Sequence, residues 1–313
     1  MNSEIIRLLS KAESVTLISH VNPDGDALGS AAALKLALEN LGKKVYWFCD
    51  GVIPRNYSII PGIESLMKPD SEHCAGVCVA VDSADIGRCG SARAIFEKAE
   101  ETINIDHHVS NTLYARHNHV VGASSTGEIM YRLITALGVK IDEPIAKALY
   151  IAISTDTGGF SYSNTTPETL RIVANLLECG MDSADISDKL YRCRTYAKTR
   201  LIAAALNNLV IRGDIAYIKL AFADYIGSGA QEADTEGLVD YAREIEGMQV
   251  GFLARETENG EVKVSLRSNG DIDVCVVAAR FGGGGHKQAA GCTIRQPIDK
   301  AIDMVLDCIA ENR

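Results

Sequence analysis

The sequence predicts an α/β protein: an N-terminal parallel sheet covered by helices on both faces, followed by a smaller C-terminal α+β domain. Three observations lead there. In the first half, short strand-like runs, mostly continuous in their apolar character (VTLISH, 15–20; KVYWFCD, 44–50; GVCVAVD, 76–82) with one that alternates (TINIDH, 102–107), are separated by stretches of helical spacing. Continuous apolar strands joined through helices are the pattern of a parallel sheet buried on both faces. From 184 to 209 the chain is polar and helical. After 210 the texture changes, and strand-like runs alternate with shorter helical ones.

Each element has its local reason. MNSEIIRLLSKAES carries Glu4 and Arg7 inside an apolar pattern, which fits a first amphipathic helix and not a signal peptide. ALGSAAALKLALENLG (27–42) reads as a helix closed by Gly42. Further helices are expected near 91–100, 124–137, 143–153 and 167–179. In the second half IAYIKLAF (215–222), VGFLARET (250–257), VKVSLRS (262–268) and GCTIRQ (291–296) read as strands, with helices near 232–246 and 272–281. The domain boundaries follow: 1–185, a helical linker 186–208, and 209–313. The linker includes KLYRCRTYAKTR (189–200), five basic residues without an acidic one, read as a solvated helix.

Composition narrows the function. With 47% hydrophobic and 23% charged residues over 313 positions, the chain can bury a sizeable core. Its longest apolar runs fall far short of the ~18–20 residues that span a bilayer, so no membrane partner is expected. The net charge of −10 disfavours a long duplex nucleic acid. It leaves room for a small anion held by a local cationic site or by metal ions. Nine scattered cysteines form no CxxC pair, which predicts reduced thiols and a cytoplasmic protein.

The chemistry concentrates where the apolar runs stop. SHVNPDGDALGS brings His20, Asp24 and Asp26 within seven residues; VDSADIG places Asp82 at a strand tip; TINIDHHV ends on Asp106, His107 and His108; YIAISTDTGG ends on Asp156. Ligands of open parallel sheets bind outside the carboxyl ends of the strands. Taken singly, Asp26 is a plausible N-cap and Asp82 a plausible turn residue. Together, so many acids and imidazoles at one edge would raise one another's pKa unless cations lay among them. Mixed His/Asp ligation suits Mn²⁺, Zn²⁺ or Fe²⁺ better than Ca²⁺. The number of donors fits two ions ~3.5–4 Å apart, the arrangement of phosphatases and nucleases.

These motifs resemble those of the DHH phosphoesterase family: SHVNPDGDALGS, VDSAD, IDHHVSN and STDTGGFSYSNTTP match its first four motifs in content and order. VSLRSNGDIDVCVVAARFGGGGHKQAAGCTI resembles the DHHA1 subdomain, with its Arg-Ser element and GGGGH loop. The resemblance implies a first metal on His20, Asp24, Asp82 and Asp156, and a second on Asp26, Asp82 and His107. Asp82 would bridge them, and Mn²⁺ is the usual ion. It implies that His108 faces the substrate phosphate while Asp106 orients the neighbouring imidazole. Many relatives carry Arg after the Phe of the fourth motif, whereas here Ser161 follows Phe160.

For the second domain the residues have a physical reading of their own. The run Gly282–Gly285 before His286 lets backbone N–H groups approach an anion, so Gly283, Gly284, Gly285 and His286 are expected substrate contacts. Arg267 offers a fork for a phosphate or a plane for a base, with Ser268 beside it. Metals on one domain and an anion and base grip on the other predict a short nucleotide as substrate. Within the family, members of this length hydrolyse oligoribonucleotides of a few residues and often 3′-phosphoadenosine 5′-phosphate, and often dimerise. The implied mechanism is in-line attack by a hydroxide bridging the two ions, with His108 and Arg267 neutralising phosphoryl oxygens. The alternatives are a soluble cyclic or linear dinucleotide phosphodiesterase and a non-catalytic nucleotide sensor.

Overall fold

The apolar runs of the first half lie side by side in one parallel sheet. The computed structural model describes residues 2–70 and 76–312; Cys74, one of the thiols predicted to be reduced, lies outside the described residues. In chain order the first unit, which ends at Cys193, contains α1 (Ser3–Lys11), β1 (Ser14–Ser19), α2 (Gly25–Asn40), β2 (Lys44–Cys49), β3 (Leu66–Met67) and β4 (Val77–Val81). It continues with α3 (Arg93–Lys98), β5 (Glu101–Asp106), β6 (His117–Val120), α4 (Thr126–Ala136), α5 (Glu143–Asp156), α6 (Pro167–Leu177) and α7 (Ser183–Ser187).

The strand order is β3-β2-β1-β4-β5-β6, and every pair is parallel. The order therefore turns between β1 and β4, which creates a crevice at their carboxyl ends. Both faces are covered, which explains the uninterrupted apolar runs. On β4, Val77, Val79 and Val81 enter the core under α2, α4, α5 and α6, while Cys78 and Ala80 meet Ile95 and Phe96 of α3 on the other face. Two strands had no signal in the sequence: β3 spans two residues, and β6 (HNHV) is half-buried throughout.

The helix expected near 143–153 runs on to Asp156, so the apolar run YIAISTD ends on the last residue of α5. Helix α5 packs against α2, α4 and α6. Contact on several sides erases the one-sided periodicity that marks an exposed helix.

The second unit begins at Arg194. It contains α8 (Tyr196–Asn207), β7 (Leu209–Arg212), β8 (Ile215–Leu220), α9 (Phe222–Ser228), α10 (Asp240–Arg243), β9 (Val250–Glu256) and β10 (Val262–Ser268), then α11 (Val274–Ala279), β11 (Gly284–His286), β12 (Ala289–Ile294) and α12 (Ile298–Glu311). Its mixed sheet runs β11-β12-β10-β9-β8-β7, with a parallel pair only between β8 and β9. Helices α11 and α12 cover one face; α8 and α10 cover part of the other. In the segment 189–200, expected as one solvated helix, Lys189 and Arg192 pair with Asp185 and Asp188 one turn earlier, but the chain leaves helical geometry at 193–195 before α8 begins. Among the described residues no helix is long and apolar enough to cross a membrane.

Candidate metal centre

The crevice between β1 and β4 receives the residues that the sequence singled out. His20 follows β1 and is buried, with neither ring nitrogen hydrogen-bonded. Its Nε2 stands 3.8 Å from Oδ2 of Asp24 and 3.7 Å from Oδ2 of Asp82. Those separations are too long for hydrogen bonds. A buried imidazole without a partner, flanked by two carboxylate oxygens, has the donor set of a metal ligand. Burial alone opposes protonation of His20, but Asp24 and Asp82 outweigh it and raise its pKa.

A second group forms alongside. Nε2 of His107 lies 3.9 Å from Oδ2 of Asp26, 3.7 Å from Oδ1 of Asp82 and 3.6 Å from Oδ2 of Asp156. Three groups of donors, His20–Asp24–Asp82, Asp26–His107–Asp156 and Asp82–His107–His108, could each hold a metal ion. Asp82 lies in the first and the third, with Oδ2 toward His20 and Oδ1 toward His107. Asp156 stands with Asp26 and His107, not with His20 and Asp24 as the family resemblance implied. It reaches that position because α5, which it ends, packs along α2, which Asp24 caps and Asp26 enters.

Each carboxylate is prepared by its backbone. Asp24, and not Asp26, is the N-cap of α2: its Oδ1 accepts from the N–H of Ala27 at 2.9 Å, leaving Oδ2 toward His20. Asp26 is buried in the first turn of α2. Burial, with Asp82, Asp156 and Asp24 nearby, pushes its pKa well above the ordinary carboxylate range. Burial likewise lifts Asp156 to about 6, with Asp82 and Asp24 adding to the rise and His107 opposing it. As the last residue of a helix, Asp156 also faces the negative end of that helix's dipole. Asp82 adopts a left-handed backbone (φ 57°) as the chain leaves β4, a conformation that Asp tolerates better than most residues. Crowded carboxylates with raised pKa values and an unpartnered buried imidazole fit divalent cations as occupants.

The neighbouring imidazoles are oriented differently. Nδ1 of His107 lies 3.3 Å from the carbonyl of Ala123, which turns Nε2 inward. Nδ1 of His108 is held at 2.7 Å by Oδ1 of Asp106. That bond, ahead of the charge of Asp82, raises the His108 pKa despite burial. The same Nδ1 lies 3.7 Å from Oδ1 of Asp82, which places His108 beside the shared carboxylate. Asn111 fixes Asp106 from the other side, donating to Oδ2 at 2.6 Å. Sequence reasoning missed Asn111, Thr126, which touches Asp26 and Asp82, and Arg88, whose charge bears on His20, Asp24 and His108. Arg88 was legible as a cation six residues after Asp82, and Asn111 as the last residue of the IDHHVSN motif; Thr126 carries no local signal.

In the second unit the predicted substrate residues separate into two sets. Arg267 and His286 both stand opposite Ala289 in the register of β10, β12 and β11, so they share one cross-strand row. Arg255 and Lys263 lie on the same face but are neutralised by Glu232. Arg267 donates to the carbonyl of Leu266 and pairs with no carboxylate among the described residues. Ser268 points the opposite way: it is buried, and its hydroxyl is engaged with Gly270. The glycine run is not a free cradle throughout. Gly284 and Gly285 belong to a strand, and a Cβ on Gly283 or Gly285 would fall 2.1 Å from the Gly291 carbonyl or 2.4 Å from that of Ala289. Beside the run lies a cavity of about 390 Å³ lined by Lys263, Phe281, Gly282, Gly283, Gly291 and Thr293 among others.

Comparison with known proteins agrees with this anatomy. Residues 14–153 match the DHH family N-terminal domain, and residues 215–311 match the DHHA1 domain. The chain is 36% identical over 302 residues to the bifunctional oligoribonuclease and PAP phosphatase NrnA of Thermus thermophilus, covering 95% of this chain and 89% of that one. It is 29% identical over 307 residues to the Bacillus subtilis protein of the same name, covering 94% and 93%. An exopolyphosphatase-related protein from Bacteroides fragilis superposes with a TM-score of 0.94 at 28% identity, covering 99% and 95%. With the motifs in order, the residues of the metal centre assembled and nearly the whole length shared, the chain belongs to the DHH family of phosphoesterases, with a DHHA1 domain at its C-terminal end.

Proposed function

We infer that this chain is a metal-dependent phosphodiesterase that cleaves short oligoribonucleotides to mononucleotides and also dephosphorylates 3′-phosphoadenosine 5′-phosphate in the cytoplasm. The observation that carries the reading is the pair of His/Asp groups meeting at Asp82, in a chain whose relatives are named for those two activities. His20, Asp24 and Asp82 would hold one ion, and Asp26, Asp82, His107 and Asp156 the other. The imidazole and carboxylate mixture admits Mn²⁺, Zn²⁺ or Fe²⁺, and Mn²⁺ is the ion that the family resemblance implies. When bound, such a pair supplies Lewis-acid polarisation of the phosphoryl group and a water that is deprotonated at neutral pH.

The chain's own residues provide the rest. His108, oriented by Asp106, which also raises its basicity, would donate from its ring to a phosphoryl oxygen. Arg88 supplies positive charge on the same unit. Arg267, His286 and the backbone of Gly283, Gly284 and Gly285 are the nucleotide contacts of the second unit. Ser268 contributes by closing the turn after Arg267.

The test is an activity panel with Mn²⁺: a dinucleotide, a five-residue RNA, 3′-phosphoadenosine 5′-phosphate, a cyclic dinucleotide and pyrophosphate. Mononucleotide release from the two linear RNAs and phosphate release from the bisphosphate are expected. Turnover of pyrophosphate or the cyclic dinucleotide alone would overturn the reading, and binding without turnover across the panel would make the chain a sensor.

A further inference from the structure

Asp26 and Asp82 are tied together by a residue that lies in neither of their motifs. Thr126 is the first residue of α4, which Ser125 caps. The backbone N–H of Thr126 donates to Oδ2 of Asp26 at 2.6 Å, and its hydroxyl donates to Oδ1 of Asp82 at 2.8 Å. The N–H of Gly127 donates to Oδ1 of Asp26 at 2.8 Å, and the hydroxyl of Ser30 reaches the same oxygen at 3.0 Å. The first N–H groups of a helix have no partner within it, and here two of them are spent on one buried carboxylate. Gly127 makes this approach possible, since a Cβ there would lie 2.7 Å from Cβ of Ala152 on α5.

The lone pairs show what this does. Oδ1 of Asp26 accepts twice and is filled. Oδ2 accepts once, and it is the oxygen that faces His107. On Asp82 the Thr126 hydroxyl takes one side of Oδ1, the oxygen facing His107, while Oδ2 faces His20. Each carboxylate thus keeps a restricted direction in which to meet a cation. Thr126 is fully buried and β-branched, so its hydroxyl has little rotational freedom.

We propose that Thr126 is a positioning residue of the metal centre: its N–H fixes Asp26 and its hydroxyl fixes the shared Asp82, so that the ion between Asp26, Asp82 and His107 finds its ligands already set. The proposal rests on the two-ion reading above. Hydrogen-bonding partners of ligating groups typically contribute about 10–100-fold in metal affinity.

The experiment compares metal-free wild type, T126V and T126S by calorimetric titration with Mn²⁺ and by the spin-coupled signal of a bound Mn²⁺ pair. T126V keeps the N–H and the shape but loses the hydroxyl; T126S keeps the hydroxyl and loses the methyl. Wild type is expected to bind two ions. T126V should keep its metal-free melting temperature within a few degrees, bind one ion normally, and bind the other about 10–100-fold more weakly with loss of the coupled signal. T126S should bind both as wild type does. If T126V does not fold, T126A replaces it against T126S, because these two differ only by the hydroxyl. Equal affinity in wild type and the hydroxyl-less variant overturns the proposal, as does an equal loss in T126S. A wild type that binds fewer than two ions removes the two-ion reading and the proposal with it.

Discussion

Asp106 grips the outer imidazole of the His107–His108 pair: its Oδ1 holds Nδ1 of His108 at 2.7 Å, while the ring of His107 is set by a backbone carbonyl instead. Adjacent residues of one type therefore acquire different work. The carboxylate holds the His108 pKa above its ordinary value, and burial and Arg88 oppose it. The substitution D106N preserves the shape but removes the charge. In the metal-free protein the His108 pKa should then fall, as read by histidine NMR titration. Activity should drop about 10–100-fold in kcat while the protein still binds its full complement of Mn²⁺. An unmoved His108 titration would show that Asp106 does not set that ring.

Asp24 carries two functions on two oxygens, and they can be separated. Oδ1 caps α2, and Oδ2 faces His20. Asn caps helices as well as Asp does, so D24N should keep the melting temperature and lose Mn²⁺ affinity at one position. D24A should show the same loss of metal and in addition about 1 kcal/mol of stability from the missing cap. Asp82 faces both His20 and His107, so D82A should bind neither ion tightly and abolish metal-dependent hydrolysis. Full Mn²⁺-dependent turnover by D82A would contradict the assignment of Asp82 as the shared ligand.

The crowding of Asp26 and Asp156 predicts how metal stabilisation varies with pH. Both carboxyls have folded pKa values raised above the unfolded ones, Asp156 from 3.8 to about 6. A raised carboxyl makes the folded, metal-free protein hold more protons than the unfolded chain. It is therefore destabilised progressively as pH rises through the window from 3.8 to about 6. A bound cation requires the ionised forms and relieves the repulsion between them. The rise in melting temperature on adding saturating Mn²⁺ should be small near pH 5 and large near pH 7. An increment independent of pH would mean that these carboxyls do not hold the metal.

The sheet of the first unit and its crevice were legible because continuous apolar strands have few other uses. The edge strands β3 and β6 escaped because two residues, or four half-buried ones reading HNHV, carry no apolar pattern. The helix expected near 143–153 was legible, but its last turn to Asp156 was not, because packing on several sides removes the one-sided period that marks where a helix stops. Which of Asp24 and Asp26 caps α2 depends on backbone angles that two aspartates so close in sequence do not reveal. Thr126 was invisible for a different reason: its partners lie 100 and 44 residues away, and nothing in its neighbourhood points to either. Side chains that bind could be picked out by chemical type, whereas those that position them depend on long-range packing.

The glycine run of the second unit supplies a test in which neighbouring positions behave oppositely. A Cβ on Gly284 meets open space. A Cβ on Gly285 meets the carbonyl of Ala289 at 2.4 Å from a backbone at φ 149°, which strains any side chain. G285A should therefore lower the melting temperature, by the equivalent of about 1–3 kcal/mol. G284A should leave the melting temperature near wild type. If the backbone here also contacts nucleotide, G284A should raise KM for a dinucleotide without changing Mn²⁺ affinity. R267A and H286A, on the adjacent cross-strand row, should do the same and more strongly, since they remove charge or hydrogen-bonding groups as well as shape. Should G284A, R267A and H286A all keep wild-type KM, this face of the sheet is not where the nucleotide binds.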